Sequence, residues 1–253
     1  MSLHHINLSY QAEADFADLG IDPSIQYMLA TSPRSGSTMF ALHLWQTGLL
    51  GAPMEYLNFR NSGDIVERLG RGDTVKYWHE VQRKRMSPNG IFGFKMFIGN
   101  YTVTQKHHPE LVPYIKGDHV LYLTRSDKIA QAVSHYRAST TGMWFSGIQP
   151  TAKVDYSFEK ILYWYYLAIR QDREWERVFT MTGTEPIRFI YEDVLHNIDS
   201  AMSRVLAALG VQDDPTASLK NIEITTPQAG VTSREWCERF KLELADRDQS
   251  IPL

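Results

Sequence analysis

With 253 residues the chain has the length of one ordinary α/β unit, so a single domain spanning residues 1–253 is expected. A composition of 43% hydrophobic, 22% charged and 12% aromatic residues excludes a disordered or fibrous protein. The 26 basic and 29 acidic residues leave a net charge of −3, which excludes a global field for polyanions: nucleic acid is not an expected partner, and an anionic ligand has to be met by a local cluster.

In chain order, Gln26 to Thr31 (QYMLAT) predicts a strand, Ser32 to Gly36 a turn, and Ser37 to Thr47 a helix stopped near Gly48. A polar helical stretch from about Asp73 ends in Arg83, Lys84 and Arg85, a run read as a solvated helix face. Ile91 to Phe97 (IFGFKMF) predicts the second strand, Tyr101 to Lys116 is helical in part, and His119 to Thr124 (HVLYLT) predicts the third strand. Ser126 to Ala138 follows as a helix with Ser126 as its N-cap, and Gly142 to Pro150 as a loop. Ser157 to Met181 predicts a long helix whose apolar positions Phe158, Ile161, Leu162, Tyr165, Ala168, Trp175, Val178 and Phe179 mark core or a subunit contact, so a homodimer is possible. Ile187 to Tyr191 (IRFIY) predicts the fourth strand, and Ser200 to Leu209 a helix ended by Gly210. Gln212 to Thr226 reads as loop or arm, and Ser233 to Asp246 as a terminal helix with Glu235 and Glu238 near its start. Alternation of strands and helices makes the fold class α/β, doubly wound: a mainly parallel sheet flanked by helices.

Cys237 is the lone cysteine, which excludes an internal disulfide and a thiolate metal cage and fits a reducing, cytoplasmic setting. Residues 1–16 lack a basic start followed by an apolar stretch, and no apolar run approaches the roughly 18 residues of a membrane helix, so neither a secretion signal nor an integral membrane segment is expected.

Ser32-Pro33-Arg34-Ser35-Gly36-Ser37-Thr38 stands between a strand and a helix, where unpaired amides and the positive end of the helix dipole meet an anion. Gly36 lets backbone approach a ligand, Ser35, Ser37 and Thr38 add hydroxyls, and Arg34 adds a forked cation. The set suits phosphate or sulfate. It is not a Walker A loop, because serine follows Gly36 where that motif has lysine. Nor is it a cysteine-phosphatase loop, since Glu243 stands where the spacing from Cys237 requires arginine.

Ligands of open parallel sheets bind beyond the carboxyl ends of the strands. Those ends deliver the anion turn, Lys95, Arg125 and Tyr191. Alone, Lys95 reads equally as a snorkelling edge residue, Arg125 as the partner of Asp127, and Tyr191 as a packed strand residue. Together they suit a ligand with two separated anionic groups and a flat ring.

SPRSGST resembles the 5′-phosphosulfate loop of the sulfotransferases that use 3′-phosphoadenosine 5′-phosphosulfate (PAPS). TRSDKIAQAVSHYRA is similar to their 3′-phosphate segment, and FIYEDVL to the strand whose tyrosine lies near the adenine. The run from Leu29 to Phe59 with its PMEY, then SPNGIFGFKMF, AQAVSHYRA and SREWCERF, resembles the bacterial trehalose 2-sulfotransferase-like branch. Lys95 is followed by Met96 and Phe97, so the catalytic histidine that many animal members carry here is missing. No Arg-Lys-Gly run stands near the C-terminus; Arg234 and Lys241 are candidate substitutes.

The resemblance implies a P-loop-like sulfotransferase fold and transfer of a sulfuryl group from PAPS to a hydroxyl of a carbohydrate or glycolipid, without metal. It implies that Pro33, Arg34, Ser35, Gly36, Ser37 and Thr38 hold the 5′ end, that Arg125 and Ser134 hold the 3′-phosphate, and that Tyr191 meets the adenine. Lys95 would stabilise the bridging oxygen and Glu55, after the first helix, would be the base, whereas without the resemblance Glu55 reads as a loop carboxylate bonded to backbone. Trp144 is an expected acceptor contact, with a covering role over the nucleotide as the alternative. His4-His5, His107-His108 and His79-Glu80 complete no metal spacing. A kinase of related fold and a noncatalytic nucleotide-binding protein are the competing readings.

Overall fold

The computed structural model describes residues 10–59, 63–70, 72–144, 151–218, 222, 224–225 and 230–248. His4, His5, positions 145–150 of the expected Gly142 to Pro150 loop and much of the expected Gln212 to Thr226 arm lie outside them.

Four strands, β1 (Ile25–Thr31), β2 (Ile91–Phe97), β3 (His119–Thr124) and β4 (Ile187–Ile190), form an all-parallel sheet in the order β2-β1-β3-β4. Side chains alternate between the faces of a strand, so the unbroken burial of Tyr27 through Thr31 means that both faces of β1 are covered. The chain passes from β1 to β2 on one side and then returns across β1 to β3 on the other, which makes the carboxyl end of β1 a topological switch point, the usual ligand crevice.

The helices are α1 (Ser37–Gln46), α2 (Gly63–Leu69), α3 (Thr74–Arg85), α4 (Ile98–His107), α5 (Lys128–Thr141), α6 (Phe158–Thr182), α7 (Tyr191–His196), α8 (Ile198–Ala208) and α9 (Val231–Asp248). Trp78 of α3 packs edge-on against Phe92 and Phe94 of β2, and Phe40 of α1 meets Phe189 of β4. Trp175 of α6 donates its indole N–H to the Thr31 carbonyl at 2.8 Å. Burying each such side chain is worth roughly 1.5–3 kcal/mol. A second cluster joins Tyr136 of α5, Phe158 and Ile161 of α6, and Trp236 and Phe240 of α9.

Several boundaries depart from expectation. The N-cap of α5 is Asp127, not Ser126: its carboxylate accepts from the Ala130 amide at 2.8 Å. Tyr191 is not the last residue of β4 but the first of α7, where Glu192 and Asp193 suit the helix dipole. Arg85 lies on no solvated face: it is fully buried, paired with Asp15 at 3.2 Å and bonded to the Gln11 and Ala14 carbonyls. Its neighbours Arg83 and Lys84 are paired with Glu80 and Asp18.

Candidate active site

The turn after β1 is braced from within. Ser35 is fully buried, its hydroxyl 2.6 Å from that of Thr31, which in turn donates to the Leu123 carbonyl of β3. The hydroxyl expected to meet an anion is therefore committed to the core, a correction for Ser35. Gly36, with φ of 83°, is the N-cap of α1 and supplies no side-chain cap. By contrast α3, α5, α6 and α8 are capped by Asp73, Asp127, Ser157 and Asn197. The first amides of α1 are thus left open at the switch point, next to Thr38.

Gly36 is also required by its neighbour. A Cβ there would lie 2.1 Å from Cδ2 of Tyr191, whose ring rests against the turn. Over the same ring lies the Arg125 guanidinium, 5.0 Å from the centroid. Arg125 points at the turn: its NH1 donates to the Arg34 carbonyl at 3.3 Å, while its buried Nε has no hydrogen-bond acceptor. Its carboxylate partner is not Asp127 but Glu192, 3.8 Å from Nε. Glu192 also accepts from the Ser126 and Asp127 amides at 3.0 and 3.1 Å, so carboxylates fill the start of α5, whereas no side chain caps the start of α1.

Arg34 is half-buried, and its guanidinium leaves the turn for α5: Nε donates to Ser134 Oγ at 3.0 Å and NH1 to the Trp144 carbonyl. Burial, and then the neighbouring charge of Arg125, lower its pKa to about 10. Two guanidiniums beside each other favour an anion between them. Close by, His135 stacks on Trp164 with ring centroids 3.8 Å apart and meets Trp144 edge-on. Its pKa falls to about 4 through burial, with Arg34 adding to the shift, so it is neutral near pH 7. Trp144 thus meets the Arg34 side of the site, through its carbonyl and its ring.

The other half of the site comes from the edge of the sheet. The outer side of β2 is met by the loop after α1, where the Lys95 amide donates to the Met54 carbonyl at 2.9 Å. That pairing sets Glu55 beside Lys95. Lys95 does not snorkel: it is 2% exposed, its Nζ lies 2.9 Å from Glu55 Oε1 and donates to Thr38 Oγ1 at 3.0 Å. The second carboxylate oxygen of Glu55 accepts from Asn58 Nδ2 at 2.9 Å, so side chains, not backbone, hold it. Tyr10, whose hydroxyl accepts from the Glu55 amide at 3.2 Å, was not legible as a neighbour. Burial, reinforced by Glu55, raises its pKa well above the usual tyrosine value and keeps it protonated.

The edge thus carries a buried lysine–carboxylate pair, an open helix start and two converging guanidiniums, an arrangement able to bind an anion at two points and to move a proton beside it. Lys241 pairs with Glu238 at 2.8 Å. Among the described residues no three metal-ligating side chains gather, and no helix is long and apolar enough to cross a membrane.

The chain is similar to several known proteins. Trehalose 2-sulfotransferase of Mycolicibacterium smegmatis is 27% identical, over 92% of this chain and 99% of its own. That of Mycobacterium tuberculosis is 26% identical, over 86% and 94%. Among solved structures, the sulfotransferase domain of the Synechococcus PCC 7002 olefin synthase is 16% identical with a TM-score of 0.41, covering 89% of this chain and 98% of that one. The family described as Stf0 sulphotransferase matches residues 26–243, and the chain belongs to that family.

Proposed function

We propose that this sulfotransferase takes its sulfuryl group from PAPS and passes it to a hydroxyl of a carbohydrate or glycolipid, releasing 3′,5′-ADP. The observation that carries the reading is the pair of guanidiniums, Arg34 and Arg125, set beside an uncapped helix start at the switch point of the sheet. One charge cluster suits the 3′-phosphate, with Ser134 as a further donor; the amides of α1 with Thr38 suit the 5′-phosphosulfate. Tyr191, against Gly36 and under Arg125, is the surface for the adenine, and Trp144 belongs to the donor side of the site.

In the reaction the acceptor oxygen forms a bond to sulfur while the bond from sulfur to the bridging phosphate oxygen breaks. The acceptor proton passes to Glu55, and Lys95 meets the charge that builds on the bridging oxygen. Their ion pair couples the two events: a protonated Glu55 no longer draws on Lys95, whose charge then serves the leaving group. Because the relatives act on trehalose, that disaccharide is the first acceptor to try. Incubation with sulfur-labelled PAPS and trehalose is expected to give labelled sugar and one 3′,5′-ADP for each transfer. Donor binding with no label passed to trehalose, other sugars or glycolipids would overturn the acceptor class. The apolar stripe of α6 packs on the core, but its outward side exposes Tyr163 and Tyr166, each about 60%, and this pair favours a homodimer.

A further inference from the structure

Arg34 is the one non-glycine with positive φ, 64°, among the described residues. A side chain disfavours that conformation, so something must hold it. The carbonyls on either side of the residue are both pinned: that of Arg34 by Arg125 NH1 at 3.3 Å, and that of Pro33 by Gln131 Nε2 at 2.9 Å. Gln131 lies on α5, is 1% exposed, and has every polar atom engaged. Its Nε2 also donates to Ser32 Oγ at 3.0 Å, and its Oε1 accepts from Lys128 Nζ at 3.3 Å. Ser32 in turn donates to Asp172 of α6 at 3.2 Å, and Asp172 pairs with Lys128. The side chains of Ser32, Lys128, Gln131 and Asp172 thus bond to one another behind the turn, and Gln131 adds a bond from this group to the turn's backbone, at the Pro33 carbonyl.

We infer that Gln131 is a positioning residue for the donor's 5′ group: it draws the Pro33 carbonyl back, fixes the left-handed peptide at Arg34, and so turns the amides that follow toward the anion. Gln131 touches no ligand. Its effect falls chiefly on the 5′ end: Arg125 reaches the 3′ end from beyond β3, and the Arg34 guanidinium is held there by its own bond to Ser134. The inference rests on the reading of the site as a PAPS site.

The test uses Gln131→Met, which keeps the length and apolar stem of the side chain and removes the amide, donor and acceptor together. Binding of 3′,5′-ADP and of 3′-AMP, which lacks the 5′ group, is measured by calorimetry on the full chain. Native protein prefers the bisphosphate; the variant loses about tenfold or more in affinity for it and stays within about twofold for 3′-AMP. In turnover the donor KM rises by a similar factor while kcat at saturating donor holds within about threefold, a split that general damage does not give. An unchanged preference for the 5′ group, or equal losses for both nucleotides, overturns the positioning role. Native protein that shows no preference overturns the reading of the site and this role with it. Should Gln131→Met fail to fold, Gln131→Glu, which removes the donor and keeps the shape, is scored by the same two ligands.

Discussion

Glu55 and Lys95 are distant in the chain and 2.9 Å apart in space, with the lysine nearly inaccessible to water. Burying a charge is costly unless it is paired, and breaking such a pair leaves the other charge exposed to that cost. The pair therefore needs a purpose beyond stability, and proton transfer beside a developing negative charge supplies one. Glu55→Gln keeps the hydrogen-bonding shape toward Asn58 and removes the proton acceptor. It is expected to bind 3′,5′-ADP as the native protein does and to lose about 10²–10⁴-fold in kcat, read by steady-state transfer from PAPS. An undiminished kcat would remove Glu55 from the chemistry.

At the scale of the element, the strand–turn–helix unit of β1 and α1 holds two strained or crowded residues in succession, Arg34 and Gly36. Gly36→Ala places a methyl group 2.1 Å from the Tyr191 ring at a φ of 83°, so the ring must move. A loss of about 1–3 kcal/mol in urea unfolding is expected, together with weaker binding of 3′,5′-ADP; unchanged values of both would contradict the close packing of ring and turn. This unit was the most legible part of the chain, because an apolar run, a turn with glycine and a helical pattern are each local signals. The strands β2 and β3 were legible for the same reason. The seven-residue α2 was not, since it is too short to show a period, and the end of β4 was misplaced because tyrosine suits a strand as well as the first position of α7. Within the site, the residue types at the strand ends were readable, but their pairings were not. Glu192 for Arg125, Glu55 for Lys95 and Gln131 for Pro33 are all made by tertiary packing, and only a polar residue at an otherwise apolar position of α5 hinted at the last.

Over the whole molecule, the sheet order puts the strand-end residues of the site on one rim. β1 gives the turn, β2 gives Lys95, β3 gives Arg125, and the junction of β4 with α7 gives Tyr191. A net charge of −3 offers no general attraction to anions, so selectivity rests on this local concentration of cations and open amides. Two anion sites at a fixed separation distinguish a 3′,5′-bisphosphate from a nucleotide phosphorylated at one end only. The direct measurement is thermal unfolding of the native protein with 3′,5′-ADP, 5′-AMP and Mg-ATP at equal concentrations. The bisphosphate is expected to raise Tm by several degrees more than either of the others, in proportion to its tighter binding. A shift by Mg-ATP as large as or larger than that by 3′,5′-ADP would contradict the assignment of the two anion sites.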